Sequence, residues 1–267
     1  MITLVHLIGQ HFSIVDLYFD ESQYWAWAEQ PAFSYFSKPP LIAWIIAAAE
    51  RVCGSTEACI RAPSPIFYFG TSLLIYALAN TLYDRRVAFW AALLLVRLQA
   101  WRWLKIGIGI GIVVQALLLV GDSMADRLTI PGLAKADIYQ PTMGWRALGD
   151  EASRLARQID APTIATGRRD DIASLVYYLR NEKRAVLAWP ESGSVSDHFQ
   201  MTRPLTATAA EPILLITHCT APTGLADVYA SVEPLGPFQT RSGPTTVRNY
   251  YAFKLGGRRP INLSRIC

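Results

Sequence analysis

From Ala62 to Tyr83 the chain carries no charged side chain, and Arg61 and Asp84 bracket the run. A helix advances about 1.5 Å per residue and the hydrocarbon core of a bilayer is about 30 Å thick, so such a stretch is long enough to cross. Ile106 to Gly121 is a second uncharged run, bounded by Lys105 and Asp122. It is slightly short, but Arg102 and Lys105 can snorkel and Trp101 and Trp103 suit an interface. Met1 to Phe19 is the weakest candidate, because His6, Gln10, His11 and Asp16 interrupt it. It has neither a basic leader nor a small-residue cleavage site, which argues against a secretory signal peptide. The expectation is a membrane α-helical N-terminal part of about three spans.

The apolar excess is unevenly spread. The chain is 52% hydrophobic and 17% charged, against about 25% charged in an ordinary soluble domain. Residues 1–121 hold most of the apolar runs, and 122–267 have the composition of a soluble domain. The expected organisation is therefore a transmembrane part, 1–121, with a loop at 20–61, followed by a small α/β soluble domain, 122–267. The net charge of +4 comes without a basic stripe interleaved with aromatics, so nucleic acid is not an expected partner. Residues 84–105 carry Arg85, Arg86, Arg97, Arg102 and Lys105 against Asp84, whereas 20–61 carry more acids than bases. With three spans, the positive-inside rule places 84–105 in the cytoplasm and both 20–61 and 122–267 outside it. Val87 to Val96 is too short to span and is expected along the interface or packed against the other helices. Gly107 and Gly111 form a small-xxx-small face that favours helix–helix self-association. Cys53 and Cys59, and likewise Cys219 and Cys267, could pair or remain thiols; sequence does not decide connectivity.

In the soluble part, Gly144 to Ile159 and Asp170 to Arg180 have helical apolar spacing. Pro162 to Ala165, Ala185 to Trp189 and Ile213 to Thr217 are short buried-strand runs. Thr245 to Leu255 reads as a late strand, hairpin-paired with Phe238 to Arg241 across Ser242-Gly243-Pro244. Alternating helices and strands imply a layered α/β fold. Thr166-Gly167-Arg168-Arg169 follows a strand, but one glycine makes no dinucleotide loop. Asp197-His198 is an adjacent acid and base of the kind that is usually only solvated.

Chemistry concentrates at 20–44. Asp20 and Glu21 end the first apolar segment, where a carboxylate can accept a proton from a hydroxyl or hold a divalent metal. On a helix the two point about 100° apart, so only one need face a site. Lys38 is a compact positive charge fixed before Pro39, suited to gripping a phosphate leaving group. Tyr24, Trp25, Trp27, Tyr35, Phe36 and Trp44 offer faces for a sugar ring or a polyprenyl chain. Leu41 to Arg51 reads as an outer amphipathic helix on the membrane surface. The plainer alternative is a solvated helix cap within an interfacial aromatic belt, making the chain a membrane-anchored, non-enzymatic extracytoplasmic binding module or a degenerate remnant.

Asp20-Glu21-Ser22-Gln23-Tyr24-Trp25-Ala26-Trp27, then Tyr35-Phe36-Ser37-Lys38-Pro39-Pro40 with Trp44, then Thr56-Glu57 and Arg61-Ala62-Pro63, together resemble the lipid-linked sugar transferases of the protein O-mannosyltransferase type. The bacterial branch that includes the aminoarabinose transferase is the most similar. Tyr177-Tyr178-Leu179-Arg180, Trp189-Pro190 and Asn249-Tyr250-Tyr251 resemble the C-terminal domain of bacterial members. The resemblance implies a C-type glycosyltransferase in the bacterial inner membrane, multi-pass, with its C-terminal domain outside the cytoplasm. It implies a polyprenyl-phosphate sugar donor and a lipid or protein acceptor. By carry-over Asp20 is the catalytic base, Glu21 supports it or a divalent metal, and Lys38 binds the donor phosphate. Tyr24, Trp27, Tyr35 and Ser37 line the substrate; Ser37 stands where the family often has a carboxylate. Family members have further spans in the middle, so the chain reads as a member with an internal deletion near residues 96–104.

Overall fold

A computed structural model describes residues 2–35, 38–94, 113, 116, 140–190, 195–222, 224–244 and 246–259. The chain forms two compact units. One comprises Met1–Ile14 with Ala48–Ala125, the other Val15–Ala47 with Asp126–Cys267. The order is an N-terminal helical region, then a small β-containing domain.

In the first unit, α1 (Ile2–Phe12) lies against α4 (Glu57–Arg61) and α5 (Pro63–Leu82), and α6 (Arg85–Leu94) lies against α5. Pro63 at the start of α5 costs no helical hydrogen bond. Among the described residues, one helix, Glu57–Leu82, is long and apolar enough to cross a membrane. Phe67, Tyr68, Leu74, Leu78 and Leu82 on it are exposed. The expectation of about three spans is thereby overturned, and with it the multi-pass inner-membrane placement and the orientation drawn from it. The physical reason is clear at the N-terminus. Met1 to Phe19 is not one helix: α1 has 11 residues, about half of what a crossing needs, and Val15, Asp16 and Leu17 are buried in the other unit. The third expected span, 106–121, with Gly107 and Gly111, lies outside the described residues. Cys53 and Cys59 form a disulfide between the end of α3 (Leu41–Cys53) and α4. Cys219 is also disulfide-bonded. Such bonds persist in oxidising compartments.

The second unit is built on a five-stranded sheet of order β2-β1-β3-β5-β4. β1 (Thr163–Thr166), β2 (Ala185–Ala188) and β3 (Ile213–Thr217) are parallel, with Thr163 opposite both Ala185 and Ile213. β5 (Val247–Arg258) runs antiparallel to β3 and pairs with the edge strand β4 (Tyr229–Arg241). All four residues of β1 and all five of β3 are buried, as befits central strands covered on both faces. Trp189, Leu205, Leu225, Tyr229 and Leu255 complete a core over Ile213 and Leu215. α7 (Trp145–Gln158) and α8 (Arg169–Tyr178) pack together. They approach closely at Gly149, where a Cβ would sit 2.7 Å from that of Tyr178.

The hairpin is longer than its sequence signals. β4 begins at Tyr229, not Phe238, and contains Pro234, Gly236 and Pro237. A register shift between Pro234 and Gly236 marks a bulge. Proline lacks the ladder donor and is tolerated on an edge strand or at a bulge, and β4 supplies both.

Candidate functional site

β1 leads into α8 and then β2 on one side, while β3 lies on the other side of β1. The carboxyl ends of β1 and β3 thus flank a topological switch point, where open α/β sheets commonly bind ligands. Here the chain's own segment 15–28 meets the helix that follows β1. The Leu17 N–H donates to the Tyr178 hydroxyl at 3.0 Å. Asp16 accepts from the Arg146 N–H at 3.1 Å and lies 3.6 Å from its side chain. Burial pushes the Asp16 carboxyl above its ordinary value, and Arg146 pulls it back only in part. α2 (Phe19–Ala28) packs along α8. Trp25 meets Tyr177 edge-on at 4.9 Å, and Arg180 covers Tyr177 at 4.1 Å and Trp25 at 5.9 Å. The aromatic N-terminal stretch and the Tyr177–Arg180 stretch, far apart in sequence, therefore touch.

The two carboxylates of α2 diverge. Asp20 Oδ1 accepts from Arg169 Nη2, and Gln23 Oε1 accepts from Arg169 Nε at 2.7 Å. Arg169 also sits 5.3 Å from the Phe19 ring. Glu21 turns the other way, where its Oε2 accepts the Tyr18 N–H at 2.8 Å and closes the start of the helix. Tyr24 follows Asp20 by one helical turn and shares its face. The Tyr24 hydroxyl accepts from Lys38 Nζ, which lies 4.8 Å from the ring centroid. The structure thus sets Asp20 and Tyr24 on one face of α2 with Lys38 on Tyr24, all three only partly buried, and has Glu21 close the helix start.

Trp27 and Tyr35 form the base beneath them. Their rings stack at 4.6 Å with an interplanar angle of 4°. Trp27 is wholly buried. The Tyr35 hydroxyl donates to Trp27 O at 2.9 Å and accepts the Ala32 N–H at 3.0 Å, which pins the 28–35 turn. His198, the first residue of α9 (His198–Thr202), meets Trp27 at 5.1 Å and Tyr35 at 5.7 Å. Burial holds its imidazole below the usual histidine range. Asp197 is occupied elsewhere, its Oδ1 accepting the Phe199 and Gln200 N–H groups at 2.7 and 2.9 Å. Ser37 and Phe36 lie outside the described residues. Among the described residues no three His, Cys, Asp or Glu side chains gather as metal ligands would, and Asp20 faces a guanidinium.

A second polar cluster lies beside Arg169. Asp171 is 1% exposed; its Oδ2 lies 2.9 Å from His218 Nε2 and its Oδ1 accepts from the Tyr250 hydroxyl at 3.3 Å. Burial pushes its carboxyl up, opposed by His218. Burial and Asp171 together push the Tyr250 phenol up. Its neighbour Asp170 pairs with Arg168 through two bonds, at 3.0 and 2.6 Å; burial raises that carboxyl, but the guanidinium prevails and holds it below the usual range. Sequence reasoning missed Arg169, Gln23, Asp171 and His218, and singled out His198 only beside Asp197, not beside Trp27 and Tyr35. The only trace of Arg169 is the Gly-Arg-Arg turn after β1, and of Gln23 its place inside Asp20–Trp27.

Comparison with known proteins points the same way in part. The model of the family described as dolichyl-phosphate-mannose-protein mannosyltransferase matches residues 37–104, a stretch that includes Lys38 but not Asp20. The lipid A galacturonosyltransferase RgtD of Rhizobium johnstonii is 32% identical over 89 residues, which are 33% of this chain and 19% of that protein. The chain therefore spans about a fifth of the length of the curated relative it matches. No solved structure matches. The chain contains a partial, distant glycosyltransferase-like region.

Proposed function

We propose that residues 20–44 carry part of a glycosyl transfer site that takes a sugar from a polyprenyl-phosphate donor and passes it to a hydroxyl acceptor on a lipid or protein. The observation that supports this best is the shared face of α2, where Asp20 and Tyr24 stand one turn apart and Tyr24 holds Lys38. Asp20 Oδ2 takes the acceptor hydroxyl proton as the oxygen attacks the anomeric carbon. The bond from that carbon to the phosphate oxygen breaks, the electron pair leaves with the phosphate, and Lys38 balances the charge. Tyr24 orients the lysine. Trp27 and Tyr35, stacked and buried, shape the site from beneath. The short overlap with the galacturonosyltransferase fits a chain that supplies one portion of a larger site.

The test is transfer from a radiolabelled polyprenyl-phosphate sugar in membranes containing the chain, its Asp20→Asn variant or its Lys38→Ala variant. Transfer by the parent and loss in both variants is expected. Equal transfer by all three sinks the mechanism. No transfer by any of them favours an anchored binding module.

A further inference from the structure

We propose that Arg169 is the positioning residue of the transfer site: it bridges Asp20 and Gln23 and so leaves Asp20 Oδ2 free as the atom that receives the proton. This rests on the role proposed for Asp20. Three contacts from one guanidinium fall on one turn of α2, namely the Phe19 ring, Asp20 Oδ1 and Gln23 Oε1. Gln23 is 2% exposed, so its carbonyl would be left unsatisfied without that donor. Among the described residues Asp20 Oδ2 has no hydrogen-bond partner.

A planar fork with several fixed donors can hold two acceptors at once, and an ammonium cannot hold the same plane. With Oδ1 held by Arg169, rotation of the carboxylate is restrained, and the α/β domain shares with α2 in setting the direction of the remaining oxygen. Arg169 is the first residue of α8, directly after β1, so the clamp is anchored to the most buried part of the sheet. A misplacement of about 1 Å at a reacting group can cost about 100-fold in rate. Arg169 touches no substrate in this scheme; it acts through Asp20.

Two measurements on the full chain test this. In the transfer assay, Arg169→Ala should lower kcat about 10- to 100-fold with the donor KM unchanged. Added guanidinium ion should restore part of it, and Arg169→Lys should not. In hydrogen exchange, Arg169→Ala should lower protection of the α2 amides about 10-fold or more, while β1 and β3 keep theirs. Unchanged kcat, or full rescue by lysine, overturns the positioning role. Unchanged α2 protection overturns the clamp itself. If the parent transfers no sugar, the proposed function and the catalytic part of this inference fall together, and exchange still decides whether Arg169 holds α2.

Discussion

α2 and α8 both begin with adjacent carboxylates in the first turn, where the helix dipole favours negative charge, yet the two pairs face different surroundings. In α2, Asp20 is partly exposed and Glu21 closes the helix start. In α8, Asp170 is held by Arg168, and Asp171 is buried against His218 and Tyr250. Neither pair works as a pair. Each splits into one residue that secures the helix or its entry turn and one that looks into the unit. The inward residue of α2 keeps a free oxygen, whereas that of α8 has both oxygens engaged. The free oxygen of Asp20 can accept a proton directly, whereas both oxygens of Asp171 are already engaged with His218 and Tyr250.

Removing the carboxylate at Asp20 and at Asp171 separates the two. Asp20→Asn should reduce transfer about 100-fold or more, and should shift stability by less than about 1 kcal/mol, because the Arg169 pair is partly exposed. Transfer and urea denaturation of the solubilised chain read the two effects. Asp171→Ala should destabilise the α/β unit by about 2 to 3 kcal/mol, since it strands the Tyr250 hydroxyl and a half-buried imidazole. A stability change within error would show the network to be dispensable. Glu21→Gln should cost about 0.5 to 1 kcal/mol through the weakened helix start and leave kcat nearly unchanged. A kcat loss matching that of Asp20→Asn would erase the distinction between them.

The smallest effect is in pH dependence. The Asp171 carboxyl sits above its unfolded value, so the folded chain holds the proton longer. Its contribution is therefore full below the ordinary aspartate value of 3.8 and is lost as pH rises through the raised folded value. Asp170 has the opposite sign: its contribution is present above the ordinary value and lost as pH falls through the lowered one. Asp171→Asn should flatten the decline above pH 3.8 and Asp170→Asn the acid-side loss, both measured by urea unfolding across pH. Equal curves for Asp171→Asn and the parent would mean that the acid titrates alike in the folded and unfolded chain.

The central strands were legible because burial on both faces demands unbroken apolar runs, as in Ile213–Thr217. The early part of β4 was not, since Pro234, Gly236 and Pro237 break the pattern and only an edge with a bulge accommodates them. Met1 to Phe19 misled for a related reason. Its apolar content favours a span, but Asp16 finds Arg146, and that pairing brings 15–17 into the α/β unit. Asp20, Tyr24 and Lys38 were legible as a pattern of residue types. Arg169 was not, because its partner lies 149 positions away and no local spacing encodes that contact.

That distance has a consequence for biosynthesis. Gln23 and Asp20 leave the ribosome 146 and 149 residues before the arginine that will hold them. At about 5 to 20 residues per second, α2 waits roughly 7 to 30 seconds for its docking surface to be translated. Through that interval Trp27 can already meet Tyr35, but Trp25, buried in the finished molecule, lacks Tyr177 to cover it. The nascent chain must shelter this helix in a bilayer or on a chaperone until translation reaches the far half of its own fold.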